Sequence, residues 1–356
     1  DRTMAGPRIA LVGATGAVGT EMRRLLEVRD FPIEGDPIFL ASERSAGKRL
    51  PFKGREVEVQ AINAEAFEGV DIAMFSAGGS LSKQWADTAV QAGATVIDNS
   101  SAFRMDDEVP LVVSEVNPEA LADRPKGIVA NPNCTTMVLM VATKPLHAAF
   151  GLTDAVVASY QAAGGSGMSG IEELMEQTAK LSAVGEEDLR LNGAQVEASV
   201  EADTFSKALA FNVLAHCGNF SDQRYTDEEL KLVNESRKIL AQPDLRVSPT
   251  CVRVPVVVGH AINARLTFSG PVTRDAALEV LAAAPGLQIQ DGTGQDGEEL
   301  SYPTPLGSAG RDEVLVGRIR EDLGDERSLN IFVVGDNLLK GAALNAVQIA
   351  ELVAAE

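Results

Sequence analysis

The sequence predicts an α/β protein of two domains, the first built of strands alternating with helices and the second of α+β type. Three observations carry this. An apolar run, Arg8 to Val12, enters a glycine loop and then an amphipathic helix. Short apolar runs ending in small-residue loops then alternate with helical patterns as far as Val129. Beyond Gly151 the pattern changes to longer, β-branched, partly alternating stretches. At 356 residues, 45% apolar and 23% charged, the chain has the length for two cores and an ordinary globular composition.

The opening segment, Asp1 to Gly6, reads as a flexible leader. The first strand runs into Gly13-Ala14-Thr15-Gly16-Ala17-Val18-Gly19, and the helix after it places Val18, Met22, Leu25 and Leu26 on one face. Glycines three apart between strand and helix let a backbone approach a pyrophosphate at the helix N-terminus, the pattern of a Rossmann-like dinucleotide-binding domain. A tight turn alone accounts for the glycines about as well, so the alternation around them has to decide. After the second strand, Pro37 to Leu40, the turn carries Ser42, Arg44 and Ser45, donors that suit a 2′-phosphate better than a bare ribose; Glu43 is expected to point away. Asp71 to Ser76 ends in Ala77-Gly78-Gly79 before a helix from about Ser80 with Trp85 and Ala89 on one face. Thr95 to Asp98 ends in Asn99-Ser100-Ser101-Ala102-Phe103-Arg104, and Leu111 to Val113 and Gly127 to Val129 complete a parallel sheet. Arg104 follows a strand-end loop, where anions bind, but by itself it reads as a surface arginine.

The run Asn131-Pro132-Asn133-Cys134-Thr135-Thr136 closes that strand and opens a helix from Met137 to Ala149. A cysteine at a helix N-terminus is biased towards thiolate and can attack a carbonyl, although a lone cysteine is more often a small buried hydrophobe. The second domain continues with Val156 to Gln161, then Ala162-Ala163-Gly164-Gly165-Ser166-Gly167, small residues that allow a ligand close to the backbone. Gln161 either orients a polar substrate or simply ends a strand. Glu172 to Leu181 is a helix, and Ser182 to Asp203 reads as an exposed acidic excursion. Thr226 and Glu229 have capping-box spacing; Glu228 and Lys231 are left three apart, on spacing alone a surface ion pair. Arg253 and His260 stand in one β-branched stretch, Val252 to Phe268, at an odd separation, so they share a site only if Pro255 or Gly259 breaks the strand. His260 is one of three histidines and hence among few candidate bases. Asp291 to Gly310 is glycine-rich and expected to be mobile; Glu313 to Arg320 and Ser328 to Val334 read as paired strands, and Gly335-Asp336-Asn337 leads to a closing helix with Ala343, Val347 and Ala350 on one face. The expected domains are 1–133 with the returning segment 336–356, and 134–335.

Net charge is −20, with 51 acidic against 31 basic residues, which excludes nucleic acid and anionic membrane as expected partners and requires any anion site to be a concentrated basic pocket. No run is long enough to span a membrane and no signal-peptide pattern precedes the first strand. Three cysteines, an odd number without metal-ligand spacing, point to a reduced, cytoplasmic protein without a metal.

In order along the chain, GATGAVG, SERSAGK, SAGG, IDNSSAFR, ANPNCTT, YQAAGGSG, ESRKIL, CVRVPV with GH, and DNLLKGAALN resemble the aspartate-semialdehyde dehydrogenase family almost from end to end. The resemblance implies an NADP-dependent, phosphorylating aldehyde dehydrogenase that interconverts L-aspartate 4-semialdehyde and 4-phospho-L-aspartate through a cysteine thioester. Such enzymes serve lysine/diaminopimelate, threonine and methionine biosynthesis. It places the nucleophile at Cys134, the acid/base at His260, and substrate contacts at Gln161, Glu228 and Arg253, with phosphate on Arg104 and Lys231. It implies coenzyme contacts at Gly13, Thr15, Gly16, Ala17, Val18, Ser42, Arg44, Ser45, Ala77, Gly78, Gly164, Gly165 and Asn337, and no metal. It also implies a homodimer assembled through the second domain. The chain departs from the family's usual serine at Gly164. A related N-acetyl-glutamyl-phosphate reductase would have no use for Glu228 against a free ammonium, and a non-catalytic nucleotide sensor would not need Cys134.

Overall fold

A computed structural model describes residues 6–356, so the expected leader lies outside the described residues except for Gly6. The chain divides into two compact units: residues up to Asn133 with Arg237–Gln242 and Leu338–Glu356, and Cys134–Ser236 with Pro243–Asn337. Asp336 and Asn337, expected with the closing helix, thus group with the second unit, and Arg237–Gln242, expected in the second domain, with the first.

In the first unit β1 (Ile9–Val12), α1 (Ala17–Val28), β2 (Ile38–Ala41), β3 (Arg49–Phe52), β4 (Arg55–Ala61), β5 (Ile72–Phe75), α2 (Gly79–Gln91), β6 (Thr95–Asp98) and β7 (Ile128–Ala130) build a sheet in the order β3-β4-β2-β1-β5-β6-β7. All its pairings are parallel except β3–β4. β1 and β5 are buried at every position, as strands of a parallel sheet covered on both faces are. α1 buries Met22, Leu25 and Leu26, with Val18 half-buried beside them. Leu111 to Val113 is not a full strand: Leu111 makes a single parallel bridge to Ala130. The β3–β4 hairpin, turning at Lys53 (φ 46°) and Gly54 (φ 74°), is an element the sequence reading did not foresee.

The second unit begins at Cys134. Its elements are α3 (Cys134–Phe150), β8 (Leu152–Gln161), α4 (Gly167–Ser182), α5 (Glu186–Leu191), α6 (Gly193–Ala198), α7 (Asp227–Ile239, whose last three residues group with the first unit), β9 (Arg246–Arg253), β10 (His260–Phe268), α8 (Arg274–Ala282), β11 (Leu287–Ile289), β12 (Gly292–Thr293), β13 (Leu300–Ser301), α9 (Pro305–Ser308), β14 (Val314–Glu321) and β15 (Ser328–Gly335). Six strands pair in the order β11-β14-β15-β10-β8-β9, and α3 packs on this sheet. The expected acidic excursion is two short, largely exposed helices, α5 and α6. The segment expected to be mobile carries the small β12–β13 hairpin and α9. The capping box at α7 forms as read: the Thr226 N–H donates to Glu229 Oε2 at 2.9 Å and the Glu229 N–H to Thr226 Oγ1 at 3.3 Å.

After β15 a wide π-turn, Leu339–Ala343, leads into α10 (Leu344–Ala354). Ala343, Val347 and Ala350 are fully buried in the first unit's core with Leu11, Met22 and Leu26. Among the described residues no helix is long and apolar enough to cross a membrane.

Candidate active site

The first unit carries a nucleotide cradle. Gly13 sits at φ 87° with its N–H on Leu40 O at 2.8 Å, and a Cβ there would stand 2.3 Å from the Ser76 carbonyl. Only glycine fits. Gly16 caps α1 without any side-chain bond, leaving the helix N-terminus to be satisfied from outside. A cavity of about 230 Å³ opens here, lined by Gly13, Thr15, Gly16, Ser42, Ala77 and neighbours. Ala17 and Val18 form the first turn of α1. Ser42 and Arg44 are exposed and Ser45 half-buried around a single 3₁₀ turn. Glu43 is exposed in the same turn. Gly78 adopts φ 85° just before α2. These features fit a dinucleotide: backbone donors at a helix end, no side chain filling the loop, and a basic residue on the neighbouring turn.

Arg104 is a buried arginine, 8% exposed, rather than a surface one. Its Nε donates to Asn131 O at 2.9 Å and its Nη2 to Asn99 O at 3.0 Å, so its guanidinium is fixed against the run leading to the cysteine. The loop carrying it is held by Lys238, whose ammonium donates to the carbonyls of Arg104, Asp106 and Val109 at 2.7–2.8 Å.

In the second unit one end of the sheet gathers the predicted residues. β8 runs parallel to β9 and antiparallel to β10, so Gln161, Arg253 and His260 share that end. The odd separation of Arg253 and His260 is resolved because β9 stops at Arg253 and β10 starts at His260, with Pro255 and Gly259 between them. Cys134 is the first residue of α3, with Sγ 3.2 Å from His260 Nε2. His260 is wholly buried, and its Nδ1 accepts the Ala162 N–H at 3.0 Å. Burial first, and the Arg253 charge second, push its pKa down to about 3 against the opposing pull of Glu228. The other two thiols differ: burial raises Cys217 to about 12 and lifts Cys251 further.

Arg253, 7% exposed, donates from Nη1 to Ala162 O at 2.7 Å with its guanidinium 5.8 Å from the Phe205 ring centre. It lines a cavity of about 400 Å³ together with Ser166, Thr204, His216 and Asn219. Gln161 accepts from Ser159 Oγ at 2.9 Å and donates to Glu228 Oε1 at 3.3 Å. Glu228 pairs through Oε2 with Lys231 at 3.2 Å, so this pair faces the site instead of open surface. A Cβ at Gly165 would lie 2.8 Å from Arg253 Nη1 and 3.2 Å from His260 Nε2, so a side chain there would crowd both groups. At Gly164 a Cβ would come within 2.8 Å of Val257 O, which is the local reason for glycine there. Asn337 is buried, and its Oδ1 accepts the Gly259 N–H at 2.9 Å, bracing the turn before His260.

Two supports escaped the sequence reading. Ala162 orients His260 and Arg253 through its backbone, which a methyl side chain does not advertise. In the first unit Lys340, 1% exposed, pairs with Glu115 and donates to Asn345 Oδ1 and Gln348 Oε1, both at 2.8 Å. Asn345 in turn donates to Asn131 Oδ1 at 2.5 Å. The signal was present in LLKGAALN, a lysine inside an apolar helical pattern.

Comparison with known proteins gives the chain's family. Residues 8–124 match the family model described as semialdehyde dehydrogenase, NAD binding domain, and residues 143–340 the one described as semialdehyde dehydrogenase, dimerisation domain. The aspartate-semialdehyde dehydrogenase of Corynebacterium glutamicum is 51% identical over 97% of this chain and 98% of its own, and that of Streptomyces akiyoshiensis 51% over 98% and 99%. The crystal structure of aspartate semialdehyde dehydrogenase II from Vibrio cholerae superposes with a TM-score of 0.89 at 44% identity, covering 99% of both chains; a second structure of that protein is complexed with ASA. With a cysteine–histidine pair at one sheet end, a nucleotide-binding first unit and this likeness along its whole length, the chain belongs to the aspartate-semialdehyde dehydrogenase family.

Proposed function

We propose that the protein interconverts L-aspartate 4-semialdehyde, phosphate and NADP+ with 4-phospho-L-aspartate and NADPH through a thioester on Cys134. The observation that carries this is the 3.2 Å approach of Cys134 Sγ to His260 Nε2 beside Gln161, Arg253 and Glu228. The thiolate is both a strong nucleophile and a good leaving group, so it serves both directions. Arg253 offers a planar fork for the substrate carboxylate and Glu228 a charge for its ammonium, while Gln161 holds Glu228 in place. Arg104 and Lys231 are the residues assigned to phosphate. The dinucleotide, held by the Gly13 to Val18 loop with Ala77 and Gly78, supplies the hydride acceptor; Gly164, Gly165 and Asn337 shape the turn beside the histidine. The functional unit is a homodimer, and the setting amino-acid biosynthesis in the cytoplasm. A coupled assay with aspartate semialdehyde, phosphate and NADP+, run beside the N-acetylated glutamate analogue, tests the reading: turnover of the acetylated compound alone overturns it.

NADP is expected in preference to NAD because Ser42, Arg44 and Ser45 present donors on the turn next to the cradle. A charge-assisted contact there is worth roughly 1.5–3 kcal/mol, about ten- to a hundred-fold in affinity. Arg44→Ala is therefore expected to lower the NADP/NAD ratio of kcat/KM by about that factor. An unchanged ratio would show that another part of the chain reads the phosphate.

A further inference from the structure

Two asparagines stand at matching places on neighbouring strands of the first unit. Asn99 follows β6 and Asn131 follows β7, where the register pairs Asp98 with Ala130. Their backbone carbonyls together hold Arg104: Asn131 O accepts from Nε at 2.9 Å and Asn99 O from Nη2 at 3.0 Å. Their side chains hold each other, Asn131 Nδ2 donating to Asn99 Oδ1 at 2.7 Å. Asn131 is wholly buried, and its Oδ1 accepts from Asn345 Nδ2 at 2.5 Å, out of the first turn of α10. Three carboxamides thus run from the closing helix to the two carbonyls on the arginine.

The orientation of each amide follows from neighbours that can only donate or only accept. Asn345 Oδ1 faces two donors, the Ser114 N–H at 3.0 Å and the Lys340 ammonium at 2.8 Å. Its Nδ2 faces an acceptor, Val112 O at 2.9 Å, which leaves the second amide proton for Asn131. Asn131 must turn its oxygen to that proton, and its own Nδ2 then reaches Ala342 O at 3.0 Å as well as Asn99. Asn345 is 0% exposed, with both lone pairs and both protons used inside the protein. A buried amide bonded so completely has one orientation and resists displacement. The rigidity matters at the Asn131–Pro132 peptide, whose proline nitrogen has no N–H by which to anchor it. Asn131 is held instead by its own N–H, on Asp98 O at 2.8 Å, and by its side chain. Its carbonyl, so placed, aims the guanidinium.

We propose that Asn345 is a positioning residue for the reaction, acting through Asn131 to aim Arg104 at the phosphate. The proposal rests on the reading of Arg104 as a phosphate contact. Asn345 makes and breaks no bond; it contributes geometry, and the Lys340–Glu115 ion pair anchors its far side. An arginine meets an oxyanion through a planar fork, so tilt matters as well as distance. A misplacement of about 1 Å at a binding group can cost on the order of a hundredfold in rate.

The test uses Asn345→Asp in the full-length protein. The substitution puts an oxygen where Nδ2 faced Val112 O and Asn131 Oδ1, two acceptors, while the other oxygen still meets Ser114 and Lys340. Circular dichroism and a coenzyme titration establish that the variant is folded. In the phosphorylating direction the expected result is a KM for inorganic phosphate raised about tenfold, with the KM values for semialdehyde and coenzyme within about twofold of the parent. In an Arg104→Ala background the same substitution is expected to add less than about twofold, because its effect passes through the arginine. A parent-like phosphate KM, an equal rise in all three constants, or an effect undiminished without Arg104 overturns the proposal. Should Asn345→Asp not fold, Asn99→Ala is read by the same measures: it cuts the amide chain at its half-buried end and keeps the carbonyl on Arg104. If Arg104→Ala itself leaves the phosphate KM unchanged, the phosphate reading fails. Positioning is then judged by whether Asn345→Asp reproduces the change that Arg104→Ala does cause, and a mismatch overturns it.

Discussion

Cys134→Ala is expected to abolish turnover while leaving the fold and dinucleotide binding in place. On the proposed thioester route no other thiol can stand in: the other two are buried, Cys217 at 2% and Cys251 at 0% exposure, and burial raises the pKa of both. Removing a nucleophile from a working constellation typically costs on the order of 10⁴-fold or more in kcat. The dinucleotide cradle belongs to the first unit, away from the substituted atom in sequence, so coenzyme affinity should stay within about twofold; a dye-displacement or fluorescence titration measures it. Mass spectrometry after brief iodoacetamide treatment of the parent protein should find Cys134 alkylated first. Turnover near the parent's, or equal labelling of Cys217 and Cys251, would remove Cys134 from the mechanism.

What could be read in advance follows from what each residue type signals. Parallel strands buried on both faces are continuous apolar runs, so β1, β5 and β6 were legible, as was the loop in which Gly13 needs a positive φ. The capping box at Thr226 identified Glu228 as the carboxylate left over, although spacing alone assigned it to the surface. Edge elements were harder. β3, with the sequence RLPF, exposes two of its four residues and contains Pro51, which an edge strand tolerates; nothing in that composition announces a strand. The alternating valines of β4 and the Lys53-Gly54 turn were the available signal. Arg104 and Lys340 were misjudged or missed for one reason. Basic side chains are exposed by default, and only the tertiary structure supplies the carbonyls and carboxylate that let these two be buried. Backbone groups such as the Ala162 amide have no sequence signature.

Lys340→Met is the substitution expected to damage stability most. The lysine is 1% exposed and serves Glu115, Ser114, Asn345 and Gln348 at once, while the Glu115 side chain is only 13% exposed. Methionine keeps most of the length but leaves the carboxylate without its cation, and breaking a buried pair from one side costs about 3–5 kcal/mol. Lys340→Met with Glu115→Gln should recover a large part of that loss, because removing both charges lifts the penalty of an unpaired one. The pH dependence has a definite sign. Burial alone would raise the Glu115 carboxyl, but Lys340 outweighs it and holds the group below its ordinary value of 4.5. In the parent this stabilisation is therefore present above that value and lost as pH falls through the lowered one. In the single variant burial is opposed only by hydrogen bonds from the Ser114 hydroxyl, the Gln348 amide and the Glu115 backbone, so the charged carboxylate is held less well in the folded state and the deficit shrinks on acidification. Denaturation of parent and variants at about pH 7.5 and about pH 5 should show a smaller gap at the lower pH. A gap that is the same at both, with no recovery in the double variant, would mean that Lys340 matters for its packing and not for its charge.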